Sequence, residues 1–319
     1  MPAVAFVVNS TLAKASTRFV ALCRAAARDA GWTCEMVLTD KGDAGLTAAR
    51  NAVAAGADLV VAAGGDGTVQ GCAEGLAGAD AALGIIPLGT ANLLARTLGV
   101  PSHPQVALDV ALSPATPQWR IDLATAELAS GELASGERLT LTAMAGMGLD
   151  AAVVSATRLK RQLGWLAYAF TGAAHLGDSP ATFTIRLDGG APITRTAHSV
   201  VAGNSGLLPG GWTLLPDARL DDGLLDVGIL APKGALGWPR LTARVLTNSS
   251  VEDEQLERFQ AREVEITAHR MVPREVDGEI VAPGTTLRVS VRPAALAVRA
   301  PLAVQDATRH DGRVARTQL

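Results

Sequence analysis

Val60-Val61-Ala62-Ala63-Gly64-Gly65-Asp66-Gly67-Thr68-Val69-Gln70-Gly71 runs from an apolar segment into a glycine-rich turn and resumes as a helical pattern. An apolar run without polar alternation predicts a strand buried on both faces. Glycines at 64, 65 and 67 let the backbone approach an anion without Cβ interference. Amides at the start of the following helix then face that anion with the positive end of the helix dipole. Asp66 has three readings: it orients amides, it meets a Mg²⁺ ion that travels with ATP, or it is an N-cap in an ordinary exposed turn.

A second strand-turn-helix junction follows at Leu83-Gly84-Ile85-Ile86-Pro87-Leu88-Gly89-Thr90-Ala91-Asn92, leading into Leu93-Leu94-Ala95-Arg96-Thr97-Leu98. In an open parallel sheet both loops lie outside the carboxyl ends of the strands and can face one nucleotide. Neither has the Gly-Lys-Ser/Thr ending of a Walker A loop or the dinucleotide Gly-x-Gly-x-x-Gly.

Outward from these loops, residues 3 to 112 alternate strand runs (Val4 to Val8, Glu35 to Leu38, Leu59 to Ala63, Leu83 to Ile86) with helical patterns from Lys14 to Asp29 and Ala44 to Ala55, closed by Gly31 and Gly56. The alternation predicts a doubly wound α/β domain with a parallel sheet. Pro114, Pro117 and Trp119 mark a boundary, after which the period changes to two: Arg120 to Ala126, Leu139 to Ala143, Thr182 to Leu187, Ser199 to Ala202, Leu225 to Leu230, Val264 to Thr267 and Leu287 to Val291. The expected organisation is a nucleotide-binding domain over 1–118, a β-rich sandwich over 119–300 and a frayed tail over 301–319. The tandem Glu-Leu-Ala-Ser-Gly at 127–131 and 132–136 reads as a lengthened hairpin loop without chemistry.

A chain of 319 residues with 48% hydrophobic content has ample material for two cores, and its net charge of −3 argues against nucleic acid as a partner. Cys23, Cys34 and Cys72 lack metal or redox spacing and read as reduced thiols, so a cytoplasmic location is expected. No stretch reaches the ~20 apolar residues of a membrane span, which leaves contact with the inner membrane face as the expected mode of meeting a membrane. Arg158 to Phe170 joins basic and aromatic residues, as an interfacial element does, and equally fits a buried helix. A homodimer is compatible with all of this.

Gly64-Gly65-Asp66-Gly67-Thr68 followed by Pro87-Leu88-Gly89-Thr90-Ala91-Asn92 resembles the catalytic domain of the diacylglycerol kinase family, which includes bacterial soluble lipid kinases and the sphingosine and ceramide kinases. Gly203-Asn204, Gly210-Gly211, Pro216-Asp217-Ala218, Asp221-Asp222-Gly223-Leu224-Leu225-Asp226-Val227 and Asp277-Gly278-Glu279 continue the resemblance in order, over residues 3 to 300. Asn9-Ser10-Thr11 stands where the family often has Asn-Pro, Gln70-Gly71 where Asn-Glu is common, and Leu93 where Asp is common.

The resemblance implies a two-domain fold of the NAD kinase and diacylglycerol kinase type and transfer of the γ-phosphoryl of ATP, with Mg²⁺, to a lipid hydroxyl at a membrane surface. Diacylglycerol is the foremost acceptor, ahead of a sphingoid base or another lipid alcohol. Phosphoryl transfer needs phosphate cradling, charge neutralisation and a carboxylate that accepts the hydroxyl proton. Asn9, Thr39, Gly64, Gly65, Asp66, Gly67, Thr68, Val69, Gln70, Gly71 and Thr90 are the candidates for the nucleotide side. By resemblance Asp277 is the proton acceptor and Glu279 a nucleotide or metal contact, both on one side of an extended segment; an Asp-Gly hairpin turn is the plainer reading. Resemblance also points to a structural Mg²⁺ held by the Asp222 side chain and the Arg219 and Leu224 carbonyls, against two acids in a solvated turn. The rivals are an NAD kinase, which shares Gly-Gly-Asp-Gly-Thr, and a non-catalytic nucleotide-binding regulator.

Overall fold

Four strands, β1 (Ala3–Asn9), β2 (Thr33–Thr39), β3 (Leu59–Gly64) and β4 (Ala82–Pro87), pair in parallel in the order β4-β3-β1-β2. Every residue of β3 and β4 is buried, as expected of strands covered on both faces. The cover comes from α1 (Thr17–Asp29), α2 (Leu46–Ala54), α3 (Asp66–Leu76), α4 (Leu93–Thr97) and α5 (Pro104–Leu112). Gly31 and Gly56 end α1 and α2 at φ of 78° and 86°. The amide after each glycine returns to the helix (Trp32 to the Ala27 carbonyl, Ala57 to Ala52), the paired hydrogen bonds of a Schellman stop.

The computed structural model describes residues 1–10, 17–39, 44–128, 137–148, 180–208, 213–233, 237–246 and 255–301. The start of the first helix at Lys14, the repeat beyond Leu128, the segment Arg158 to Phe170, Gly210-Gly211 and the tail beyond Pro301 lie outside them.

From Gln118 onward the chain is β-rich: β5 (Gln118–Leu128), β6 (Glu137–Leu141), β7 (Met144–Met147), β8 (Ala181–Leu187), β9 (Ile193–Ala197), β10 (Ser199–Gly203), β11 (Leu225–Leu230), β12 (Leu256–Ala261), β13 (Glu263–Val276) and β14 (Glu279–Arg299), with one helix, α6 (Gly237–Leu246), among the described residues. These strands pair antiparallel with one another, and β14 alone pairs parallel with β4, through Ala297↔Ala82 and Val298↔Leu83. One hydrogen-bonded sheet therefore runs through both halves. β5 and β14 also run through two cores: Ile121, Leu123 and Leu296 to Val298 pack with the parallel sheet, while Ala124, Ala126, Leu287 and Val289 pack among the antiparallel strands.

The join between the halves is built around Asp122, which is 3% exposed. Where β5 and β14 lose register, at Arg292/Leu296, Ala294 adopts φ 49° and donates its amide to Asp122 Oδ1 at 2.7 Å. Asp122 Oδ2 accepts the Gly223 amide at 2.7 Å, and the Asp122 carbonyl accepts Asn204 Nδ2 at 2.7 Å. Asp122→Ala takes the acceptor from two part-buried amides at the join. We expect it to destabilise the fold by about 2–4 kcal/mol, read as a lower urea midpoint at unchanged slope; an unchanged midpoint would mean that the amides find other partners.

Candidate active site

The strand order reverses between β1 and β3, and the loops that leave their carboxyl ends flank the crevice where open α/β sheets bind ligands. Asn9 and Thr39 pair at the ends of β1 and β2, and Gly64 pairs with Pro87 at the ends of β3 and β4. Asn9 Nδ2 donates to Thr68 Oγ1 at 3.2 Å. The Thr39 carbonyl takes both the amide and the hydroxyl of Ser10, while its buried Oγ1 has no partner among the described residues.

The glycines of the two loops differ in what a side chain would meet. A Cβ on Gly64 would strike the Thr68 side chain, and a Cβ on Gly89 would lie 2.6 Å from Gly65 Cα, so the two loops touch backbone to backbone. A Cβ on Gly67 would meet nothing within 4 Å. The open space lies beside the first turn of α3, whose leading amides have no carbonyl within the helix to bond.

Asp66 ties the loops together. Its Oδ2 accepts the Asn92 amide at 2.9 Å and its Oδ1 the Leu93 amide at 2.6 Å. It is half-buried, not the exposed carboxylate of an ordinary turn, and the N-cap of α3 is Gly65, with Asp66 the first helical residue. Asn92, at φ 50°, folds its side chain onto Gly89, taking its amide at 3.1 Å and giving Nδ2 to its carbonyl at 3.0 Å. Thr90 is left exposed at the tip. Two of the sequence candidates face elsewhere. The Val69 side chain is in the core, and the open side of Gly71 meets the Ala44 carbonyl where α3 crosses the start of α2.

Asp277 and Gly278 form the two-residue turn between β13 and β14, with φ of 49° and 84°, and Val276 pairs directly with Glu279. The extended segment expected to carry both carboxylates on one side is thus a tight hairpin, because Asp-Gly is the residue pair that tolerates two positive φ values in succession. Glu279 is exposed and Asp277 is 9% exposed. A hairpin aspartate ordinarily faces water; this one turns inward. Oδ1 accepts the amides of Ala143 (2.9 Å) and Met144 (3.2 Å), and Oδ2 those of the Thr142 amide (2.8 Å), the Thr142 hydroxyl (3.0 Å) and Gln70 Nε2 (3.4 Å). Burial pushes its pKa up to about 6 from 3.8, and the hydrogen bonds, which favour the charged form, hold that rise back.

The Asp-Asp-Gly loop sits on the far side of Asp122. Asp222 Oδ1 accepts the Leu224 amide at 3.0 Å, and Arg219 pairs with Asp221 at 3.0 Å. Burial, followed by repulsion from Asp222, pushes Asp226 up to about 7; Asp222 is itself raised by burial, with Asp122 and Asp221 adding to it. Asp226 Oδ2 is buried without a hydrogen-bond partner among the described residues. Among the described residues no group of three or more acidic, His or Cys side chains could hold a metal ion, so a cation at Asp222 would need backbone carbonyls and water as its other ligands.

Asp122, Asn204 and Thr142 have structural parts that residue type and spacing do not announce, since each bonds a segment distant in sequence. A further feature comes only from assembly of the halves: a cleft of ≈ 320 Å³ lined by Thr97, Leu98, Ile121, Ser205, Leu207 and Leu215 among others. Thr97 Oγ1 and Ser205 Oγ meet at 2.9 Å across its wall. Thr97 ends the short helix that begins on the Asp66 clasp, and the Ser205 amide bonds the carbonyl of Ala143, whose own amide holds Asp277.

Residues 3–123 match the diacylglycerol kinase catalytic domain, and residues 143–300 match the YegS C-terminal NAD kinase beta sandwich-like domain. A Pseudomonas fluorescens protein named "Probable lipid kinase YegS-like" is 36% identical over 280 residues, 86% of this chain and 88% of that one. In fold, the chain is similar to a diacylglycerol kinase from Bacillus anthracis (TM-score 0.69, 20% identity, 95% of this chain and 98% of that one). It also shares the fold of an NAD kinase from Archaeoglobus fulgidus solved with ATP (TM-score 0.52, 13% identity, 98% and 100% covered). The α/β first half, the β-rich second half and these matches together assign the chain to the diacylglycerol kinase family of lipid kinases.

Proposed function

We propose that the protein transfers the γ-phosphoryl group of ATP to the hydroxyl of diacylglycerol, forming phosphatidic acid at a membrane surface. The observation that carries this reading is Asp277: a buried carboxylate with a raised proton affinity, bonded to the helix that starts in the glycine loop. A base is most useful when its pKa lies near the working pH, and a carboxylate at about 6 comes close where a solvated one does not.

The roles divide by element. The first-turn amides of α3, at Asp66, Gly67 and Thr68, face the phosphates. Gly64 and Gly65 allow the close approach, Thr90 reaches from the second loop, and Asn9 and Thr39 close the floor of the crevice. Val69 and Gly71 act from behind by seating α3 on the core and on α2. Glu279, exposed beside the turn, meets the nucleotide or its metal. The acceptor hydroxyl gives its proton to Asp277. Its oxygen lone pair forms the new bond to γ-phosphorus, and the bond from γ-phosphorus to the β-γ bridging oxygen breaks, leaving ADP. Bound with ATP, Mg²⁺ supplies charge neutralisation on the phosphates. The cleft at Ile121 and Leu215 takes the apolar part of the lipid, and its largely apolar lining suits acyl chains. Among the described residues no helix is long and apolar enough to cross a membrane, so the lipid is met from outside the bilayer.

Purified protein with labelled ATP and a panel of diacylglycerol, monoacylglycerol, ceramide, a sphingoid base and NAD should give labelled phosphatidic acid as the main product; labelled NADP alone would overturn the proposal. Asp277→Asn keeps shape and loses basicity, so turnover should fall by roughly 10²- to 10⁴-fold with ATP affinity nearly unchanged. The charged form of Asp277 is the active one. Wild-type turnover should therefore be full above its pKa of about 6 and fall as the pH drops through that value; a flat profile down to pH 4.5 would place the base elsewhere.

Two further variants test the loops and the cation. Gly89→Ala forces a Cβ against Gly65 Cα and should raise the Michaelis constant for ATP at least about tenfold, whereas Gly67→Ala meets no protein atom and should fold like the wild type. Circular dichroism and ATP titration check this, and wild-type ATP affinity in a folded Gly89→Ala would sink the backbone-contact reading. We further propose a structural Mg²⁺ at Asp222, with the Arg219 and Leu224 carbonyls as its other protein ligands. Added Mg²⁺ should raise the melting temperature of the nucleotide-free wild type and leave Asp222→Ala unmoved; no response in either protein means no such ion.

A further inference from the structure

Four of the five donors on Asp277 come from Thr142, Ala143 and Met144, within the β-rich half; Gln70 is the one from the nucleotide-binding half. Oδ2 already takes three of the five donors, so a substrate hydroxyl can reach it only in place of one of them. The longest bond is that of Gln70, at 3.4 Å, and the same Nε2 has a second acceptor, the Thr140 carbonyl at 2.5 Å. Gln70 can therefore leave Asp277 without losing its hydrogen bond. The three donors of the Thr142 to Met144 backbone cannot, because they belong to the chain that holds Met144 O against the Asp277 amide.

The anchor on which Gln70 would pivot is firm. One turn further along α3, Glu74 accepts the Thr140 hydroxyl and pairs with Arg292 at 3.2 Å and with Arg50 at 3.5 Å. Gln70 and Glu74 are four residues apart and face the same strand, β6, so the helix and the acceptor side are fixed to each other around Thr140.

We infer that Gln70 is a positioning residue that holds, on Asp277 Oδ2, the place the acceptor hydroxyl takes, and so keeps water off the base until lipid arrives. This rests on Asp277 being the base. When the acceptor enters, the Gln70 amide withdraws to Thr140 and the hydroxyl donates to Oδ2 in its stead. With the side chain cut back, the vacated space is bounded by Thr140 O and Asp277 Oδ2, polar groups that hold a water. That water gives its proton to Oδ2, and its oxygen forms the bond to γ-phosphorus as the bridging bond breaks, so ATP yields ADP and inorganic phosphate instead of a lipid phosphate.

The readout is the ratio of lipid phosphate to ADP formed, together with ADP release in the absence of lipid, for wild type, Gln70→Ala, Gln70→Asn and Asp277→Asn. Gln70→Ala should release ADP without lipid at least about fivefold faster than wild type and lower the ratio in its presence. Gln70→Asn fills most of the space with an amide drawn back by one methylene, and should fall between the two; it also keeps the test open if Gln70→Ala does not fold. A merely structural role would lower turnover and melting temperature and leave the ratio alone. An unchanged ratio in the folded Gln70 variants, with Asp277→Asn inactive, overturns this inference and leaves Asp277 as the base. An Asp277→Asn enzyme with wild-type turnover removes the base itself.

Discussion

The parallel pairing of the end of β14 with β4 is the constraint on which the other placements depend. β14 is 21 residues long, and its first residue follows the Asp277-Gly278 turn while its last stretch lies in the core of the parallel sheet. A single strand thus sets the distance between the carboxylate and the edge of the sheet where the glycine loops emerge. Leu296, Ala297 and Val298 are all buried, so a slip of one residue would exchange large and small side chains between two packed faces. The position of Asp277 inherits that precision. Asp122 then pins the one place where β14 departs from regular pairing, so the irregularity at Ala294 is itself fixed.

Backbone amides satisfy all three key carboxylates, and the consequences differ with what surrounds each. Asp66 joins two loops and remains half in solvent. Asp122 joins two segments of the second half to the end of the first and is buried. Asp277 takes more donors than either, yet its proton affinity still rises, because loss of hydration outweighs the hydrogen bonds. A carboxylate held by donors alone would be too weak a base, and a buried one without donors would not stay charged. The two effects set against each other leave a group that can be ionised near neutrality and still bind a proton.

Much of this was legible in the residues. β3 and β4 read as buried strands because nothing polar interrupts them, and Gly31 and Gly56 read as helix ends because only glycine takes the left-handed conformation there without strain. The glycine loops stood out by type and spacing, and Asp277 by resemblance to the family. What was not legible was local burial without alternation and contact at long range. β7 is four residues long, Met144-Ala145-Gly146-Met147, all buried, so it has no period to detect. β9 carries three exposed residues in five and looks like loop. The two strands of the final hairpin appeared as short period-two patches because bulges between Thr267 and Val272 and between Arg292 and Leu296 interrupt the alternation of much longer strands. The inward turn of Asp277 depends on amides more than 130 residues away in sequence, and no local pattern encodes it.

In the proposed reaction, α3 is the element in which the two substrates meet. Its first turn offers free amides beside Gly67, its second turn sends Gln70 to Asp277 and its third places Glu74 against Arg292 and Thr140. A helix is stiff over such a length, so a displacement of its N-terminus on binding phosphate is carried to Gln70 with little loss. Val69 and Cys72 hold the opposite face in the core, which limits that displacement to a small rotation or slide. On the proposed roles, the donor on Asp277 and the cradle for the phosphates therefore cannot move independently, and ATP arriving at one end of α3 would bear on how tightly Gln70 holds Asp277 at the other.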